Sequence, residues 1–235
     1  MPGLSDVKRI GHKGADHVAP GNTAESFEAA LESGVDVIEF DVLGLRDGRL
    51  VLAHDYKDAG RREPLTLDEG FDHFADEAYS EVELIVDLKL RGYEREVVEG
   101  LEERGLSERA LVSTQSVESL AALRELAPDL TRGWSVPKVK RDYTKGWLAL
   151  PAYLVLQVIR ARMPGQAAAL IRSGGCQTLM AHWRLVTPRL LRAVRDAGGQ
   201  LYVWTVDDPA RIRQLEALGV DGVITNDPRL FATAA

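Results

Sequence analysis

Short apolar runs rich in β-branched residues alternate along the chain with helical patterns of about 10 to 15 residues, which argues for βα units around a parallel sheet. The runs predict strands at Lys8–His12, Val35–Leu43, Glu83–Leu88, Ala110–Ser113, Thr131–Trp134, Thr178–His182, Leu201–Val206 and Gly222–Thr225. Between them the spacing predicts helices near Thr23–Ser33, Tyr93–Arg104, Val117–Leu126, Pro188–Ala197 and Pro209–Leu218, several opened by Pro or a Ser, Thr or Asp cap and closed by Gly. Eight strands, each followed by a helix or loop, make an α/β fold of the (β/α)8 TIM-barrel type the economical reading, with an open doubly wound sheet as the alternative.

One further apolar run, Leu50–His54, follows the second strand after only Arg46-Asp47-Gly48-Arg49. Parallel neighbours need a crossover of a dozen or more residues, so this run is expected to turn back as a short antiparallel β-hairpin on the second strand. If Asp47 and Gly48 form a two-residue turn, His54 falls opposite Asp41 and on the same face of the ribbon.

Composition narrows the function classes. The chain has 235 residues, of which 45% are hydrophobic, enough for one large barrel or two small domains. No repeat or low-complexity linker divides it, so residues 1–235 read as a single domain. With 29 Lys and Arg against 36 Asp and Glu, the net charge of −7 argues against nucleic acid as a bulk partner. The lone Cys176 permits no internal disulfide and reads as a small buried residue. Met1 to Arg9 contain no apolar h-region, so no secretory signal is expected and cytoplasmic residence is the default. In the segment 138–162, Lys138, Lys140, Arg141 and Lys145 precede the apolar run Trp147–Ile159, and Arg160 and Arg162 follow it. Interrupted by Pro151, that run is too short to span a bilayer; it reads as a buried helix with solvated basic flanks or as a peripheral membrane contact.

In a barrel of this kind functional groups gather at the C-terminal ends of the strands. The first strand ends in Gly11-His12-Lys13-Gly14, the second contains Glu39-Phe40-Asp41, the hairpin arm ends in His54-Asp55, and the third barrel strand ends in Asp87-Leu88-Lys89. Glu39 and Asp41, two apart in a strand, point to the same face, and two carboxylates aimed at one point repel unless a cation lies between them. Asp87 on the adjacent strand would add a third oxygen ligand, and an all-oxygen set suits one divalent cation, Mg²⁺ or Ca²⁺, better than zinc. Taken singly, each of these acids also reads as a helix cap or surface charge, and Lys13 and Lys89 as ion-pair partners; in a site with a metal the two lysines would neutralise a phosphate. His182 ends the sixth strand beside Trp183, at the expected pocket rim. His17 reads as a surface residue and His73, in the acidic helical stretch Asp68–Glu77, as solvated.

Taken together, Ile10-Gly11-His12-Lys13-Gly14-Ala15, Ala19-Pro20-Gly21-Asn22-Thr23, Glu39-Phe40-Asp41-Val42, Arg46-Asp47-Gly48, Val51-Leu52-Ala53-His54-Asp55, Asp87-Leu88-Lys89, Trp204-Thr205-Val206 and Gly219 through Pro228 resemble the glycerophosphodiester phosphodiesterases, in order and spacing from residue 8 to about 230. The resemblance implies a catalytic (β/α)8 barrel that hydrolyses glycerophosphodiesters to an alcohol and sn-glycerol 3-phosphate with a divalent cation. It implies His12 and His54 as the general acid/base pair, Glu39, Asp41 and Asp87 as metal ligands, Lys89 as a phosphate contact, and Trp204 as a surface for the substrate's carbon skeleton. Lys13 stands where the family usually has Arg, Asp87 where most members have Glu, and Gly21 where Glu usually precedes Asn22. The stretch from Asp55 to Glu83 is shorter than the substrate-covering insertion of many members. A more open pocket and the Asp-x-Lys motif, similar to that of sphingomyelinase-D-like relatives, make lysophospholipids the alternative substrate class. The rival from another class is a non-catalytic barrel that binds phosphodiesters without turnover.

Overall fold

The computed structural model describes residues 7–137 and 149–234, and these form a nine-stranded sheet. Its strands are β1 (Lys8–Gly11), β2 (Val37–Gly44), β3 (Leu50–Leu52), β4 (Glu83–Leu88), β5 (Ala110–Thr114), β6 (Thr131–Val136), β7 (Thr178–His182), β8 (Gln200–Trp204) and β9 (Gly222–Thr225). All but β3 run parallel. Closure rests on β1, which pairs with β9 from Lys8 opposite Gly222 to Gly11 opposite Thr225, and on its other edge with β2, Ile10 opposite Val37. The fold is therefore the closed (β/α)8 barrel, and the open-sheet alternative falls with the pairing of its two would-be edges.

Strand alternation sorts the side chains. Ile10, Val37, Ile85, Leu111, Met180, Tyr202 and Ile224 pack together inside the barrel. Their neighbours Ile38, Phe40, Val42, Leu84, Val86 and Val112 pack under the helices on one side, and Leu179, Ala181, Leu201, Val203 and Val223 on the other. Burial of each such side chain contributes roughly 1.5–3 kcal/mol, which offsets the cost of aiming charged groups into the same barrel.

The helices are α1 (Ala24–Glu32), α2 (Tyr56–Ala59), α3 (Leu67–Phe74), α4 (Glu94–Glu103), α5 (Val117–Leu126), α6 (Ala149–Arg172), α7 (Pro188–Asp196), α8 (Pro209–Leu218) and α9 (Leu230–Ala234). Their starts follow the expected chemistry. Thr23 and Ser26 form a capping box on α1, Thr187 caps α7 before Pro188, and Asp208 caps α8 before Pro209.

The hairpin exists, but its register differs from the expected one. Val42 faces Leu52, Leu43 faces Val51 and Gly44 faces Leu50. Leu45 N–H donates to Arg49 O at 2.8 Å, so Arg46, Asp47 and Gly48 make a three-residue loop, with Gly48 at φ +90° as that loop type requires. One extra loop residue slides the pairing by one and exchanges faces. β3 ends at Leu52, and the expected pairing of His54 with Asp41 does not occur. The outer edge of β3 is covered, since Leu52 N–H donates to Leu65 O at 2.8 Å.

Two other expectations change. His73 is half-buried, with its ring nitrogen Nε2 2.8 Å from Tyr79 Oη and its ring against Phe27 and Phe74. The expectation for 138–162 falls partly on 138–148, outside the described residues; the rest lies in α6, which runs on to Arg172. That helix is one-sided rather than buried. Met163, Ala167 and Ile171 join the core while Val155 and Val158 are exposed, and Arg160 and Arg162 belong to the helix itself. Among the described residues no helix is long and apolar enough to cross a membrane.

Candidate active site

Two residues beyond each apolar inward position, the same strand face turns polar. Ile10 is followed by His12, Val37 by Glu39 and Asp41, Ile85 by Asp87, Leu111 by Ser113, Met180 by His182, Tyr202 by Trp204, and Ile224 by Asn226. A layer of chemistry thus stands on the apolar floor at the C-terminal mouth.

Its centre is acidic. Glu39, Asp41 and Asp87 are all buried, and one carboxylate oxygen from each lies within 4.8 Å of the others. The Lys89 ammonium is paired with Asp41 Oδ1 and lies 2.5 Å from Asp87 Oδ2. Ser113 Oγ donates to Asp87 Oδ1 at 2.5 Å. Burial would raise the Asp41 carboxyl, but the Lys89 ammonium, helped by His54, His12 and Lys13, holds it well below the usual carboxylate range. Glu39 moves the other way: burial first, then the charges of Asp41 and Asp87, push its carboxyl well above its ordinary value. Of these two coupled acids, Glu39 therefore keeps a proton more readily than Asp41.

These residues fit a divalent cation on two grounds. The donor set is entirely carboxylate oxygen, the preference of Mg²⁺ and Ca²⁺. Asp41 Oδ1 is also buried without a properly aligned hydrogen bond, its Lys89 contact being an ion pair, so it keeps a lone pair for a ligand bond.

The loop after β1 is built around this cluster. Lys13, at φ +51°, turns its backbone N–H to Glu39 Oε2 at 2.8 Å. Asn22, also left-handed at φ +60° and fully buried, meets Asp41 twice: its Nδ2 donates to Asp41 Oδ2 at 3.0 Å and its Oδ1 accepts from the Asp41 N–H at 2.9 Å. Lys13 in this conformation stores strain of roughly 1–3 kcal/mol at the site, whereas Asn22 is a residue type that the left-handed region tolerates. Lys13 Nζ lies 3.0 Å from Asp16 Oδ2, and the Gly21 N–H donates to Asp16 Oδ1 at 2.9 Å. A Cβ on residue 21 would stand 2.4 Å from that oxygen. Gly21 is thus the partner of Asp16, and Asp16 supplies the carboxylate of this loop.

His12 lies deeper than His54. Its Nδ1 is 2.5 Å from Asn226 Oδ1 and its Nε2 3.9 Å from Glu39 Oε2. Burial, then the nearby Lys13 ammonium, lowers its imidazolium below the ordinary histidine value. His54 follows β3 in irregular chain, its side chain 52% exposed and its Nδ1 3.6 Å from Asp55 Oδ2. Its charge still reaches Asp41. On the far side, Trp204 Nε1 donates to Met180 O at 3.0 Å, and His182 stands edge-on to the Trp204 ring at 5.3 Å between centroids. The candidate residues converge on one mouth, with His54, Trp204 and His182 around its margin.

Sequence reasoning gave no role to Asn22, Asp16, Ser113, Asn226 or Asp207. Ser113 was accessible from strand alternation, two positions after Leu111. The asparagines stood inside recognised motifs, but their partners lie too far along the chain for spacing to show.

An imidazole of lowered basicity beside a buried carboxylate cluster, at the end of the barrel where such folds do chemistry, has the layout of an enzyme active site on a (β/α)8 barrel. Residues 12–72 and 66–230 match the glycerophosphoryl diester phosphodiesterase family profile, so the chain belongs to that family. It is 28% identical over 251 residues to a glycerophosphodiester phosphodiesterase of Caldanaerobacter subterraneus, covering 93% of each chain. Among solved structures, a putative glycerophosphoryl diester phosphodiesterase from Silicibacter pomeroyi superposes with a TM-score of 0.76 at 23% identity, over 99% of this chain and 95% of that one. A phosphodiesterase from Oleispira antarctica, in complex with the product sn-glycerol-3-phosphate, superposes at 0.69 and 20% identity, over 96% and 95%. Both share the fold.

Proposed function

We propose that this enzyme cleaves glycerophosphodiesters to an alcohol and sn-glycerol 3-phosphate with His12 and His54 as its acid–base pair and one divalent cation, Mg²⁺ or Ca²⁺, held by Glu39, Asp41 and Asp87. The observation that carries this reading is the convergence of three buried carboxylates beside His12. When bound, the cation supplies a Lewis acid for the non-bridging phosphoryl oxygens. The protein's own groups do the rest. His12, kept neutral by burial, takes the proton of the attacking water oxygen as the new P–O bond forms. The P–O bond to the head-group alcohol breaks, and His54 at the open margin returns a proton to the departing oxygen. Lys89 and Lys13 balance the charge of the diester, and Trp204, its N–H already engaged, offers its apolar face to the glycerol carbons. His182 shapes the rim behind it.

The test is hydrolysis of a panel of small glycerophosphodiesters with and without chelator, alongside His12→Ala. Release of glycerol phosphate should need the metal, and His12→Ala should lower kcat by roughly 10²–10⁴. The pH profile should be bell-shaped, its acid limb below the ordinary histidine value because His12 acts as a base only when neutral and its imidazolium is already lowered. A profile flat from about pH 5 to 9, or chelator-insensitive turnover, defeats the assignment.

A second reading, lysophospholipids as substrates, has one observation in its favour. In the short stretch after Asp55, Leu67, Phe71 and Phe74 of α3 are committed to the outer core with Phe27 and Phe40. Including a lysophospholipid in the panel separates the two.

A further inference from the structure

We propose that Asn226 and Asp207 are positioning residues that hold the His12 ring in its Nδ1–H form and turn the Nε2 lone pair toward the carboxylate cluster. The inference rests on His12 as the acid–base group and adds which nitrogen works and what enforces the choice.

An ionised carboxylate can only accept hydrogen bonds. Asp207 Oδ1 receives Thr225 Oγ1 at 3.0 Å and the Asn226 backbone N–H at 2.8 Å, and its Oδ2 lies 2.7 Å from the Asn226 side chain. The Asn226 atom there must be the amide nitrogen, because an amide oxygen would set two acceptors against each other. The amide oxygen therefore faces His12 Nδ1 at 2.5 Å, and an acceptor at that distance requires a hydrogen on Nδ1. In the neutral ring Nε2 then carries none, and Nε2 is the nitrogen on the Glu39 side, 3.9 Å from Oε2.

The rest of the fold keeps this chain from relaxing. Asn226 O accepts from the His17 N–H at 2.9 Å, while the His12 N–H donates to Thr225 O at 2.8 Å, so the backbones on both sides of the contact are fixed. A turn of the Asn226 amide would break the Asp207 bond and oppose two N–H groups across the His12 contact. Asp207 comes from the loop between β8 and α8, Asn226 from the end of β9 and His12 from the end of β1. Barrel closure at β1 and β9 is what brings these three together.

The test uses protein with ¹⁵N-labelled histidine and reads the ring nitrogens by long-range proton–nitrogen NMR, the His12 signals being identified by their loss in His12→Ala. The unmodified protein should show a protonated Nδ1 and a bare Nε2. Asp207→Ala should mix the two tautomers and lower kcat about 10–100-fold with KM little changed, since Asp207 acts only through Asn226. Asn226→Ala should do the same, and Asp207→Glu should restore part of both signals. A bare Nδ1 in the unmodified protein overturns the proposal. So does an Asp207→Ala protein of intact circular dichroism whose tautomer is unchanged, whatever its kcat. Because the tautomer is read without turnover, failure of His12→Ala to reduce turnover would defeat the acid–base reading while leaving this result measurable.

Discussion

At the scale of single residues, the site depends on side chains that satisfy a neighbour as much as on those that do chemistry. Asn22 is the clearest case. It holds both the N–H and the Oδ2 of Asp41, which lies 19 positions away and is fully buried. Asn22→Ala would leave a buried donor and a buried charged acceptor without partners, so it should destabilise the protein by roughly 2–4 kcal/mol in urea unfolding. It should also weaken metal binding, because Asp41 loses its orientation. A cost below about 0.5 kcal/mol would mean that water replaces both bonds. Motif reading located Asn22 without a role, since nothing in the local sequence names its partner. Strand alternation aims Glu39, Asp41 and Asp87 inward as one acidic cluster, whereas the roles proposed for His12 and Lys89 came from the family resemblance. Gly21 shows the reverse limit. In sequence it reads as a lost polar group, whereas Asp16 lies where a side chain on residue 21 would project.

At the scale of elements, eight strands were legible because a strand buried on both faces reads locally as a short apolar run, and the hairpin's existence followed from the short link after β2. The hairpin's register was not legible to the residue. Asp-Gly fits both a two-residue turn and the last two positions of a three-residue loop, and the choice between them depends on how β2 and β3 pack. Of the short helices, α3 was legible as the helical stretch Asp68–Glu77, with Phe71 and Phe74 seating it on Phe27 and Phe40, whereas the four residues of α2 are too few for a helical period to show. The loop itself offers a clean test of backbone conformation. No atom lies within 4 Å of where a Cβ on Gly48 would sit, so only its φ of +90° opposes a side chain. Gly48→Ala should therefore destabilise the fold by about 1 kcal/mol with an unchanged denaturant slope, and Gly48→Asn by less, since Asn tolerates the left-handed region. Equal effects of the two substitutions would show that the loop, not φ, sets the cost.

At the scale of the whole molecule, the carboxylate cluster ties β2 to β4 and thereby couples ligand binding to barrel stability. Without a cation, burial and the neighbouring carboxylates favour the protonated form of Glu39, and the Lys89 ammonium pairs with Asp41 and Asp87. Glu39 is raised in the folded state, so its contribution is fully present below the ordinary glutamate value and is lost as pH rises through the raised one. A divalent cation takes over where the proton leaves, because carboxylates must be ionised to bind it. At about a hundred times its dissociation constant the cation should add about 2.7 kcal/mol. For a chain of this size that is a rise in Tm of roughly 5–11 °C. The rise should be larger at about pH 8 than at about pH 5.5, and Asp87→Asn should reduce it at both. Calorimetric scans with Mg²⁺, with Ca²⁺ and with chelator would read this directly. A Tm indifferent to both ions at both pH values would remove the cation from the proposed chemistry and leave Lys89, helped by Lys13 and the two histidines, as the counter-charge of the cluster.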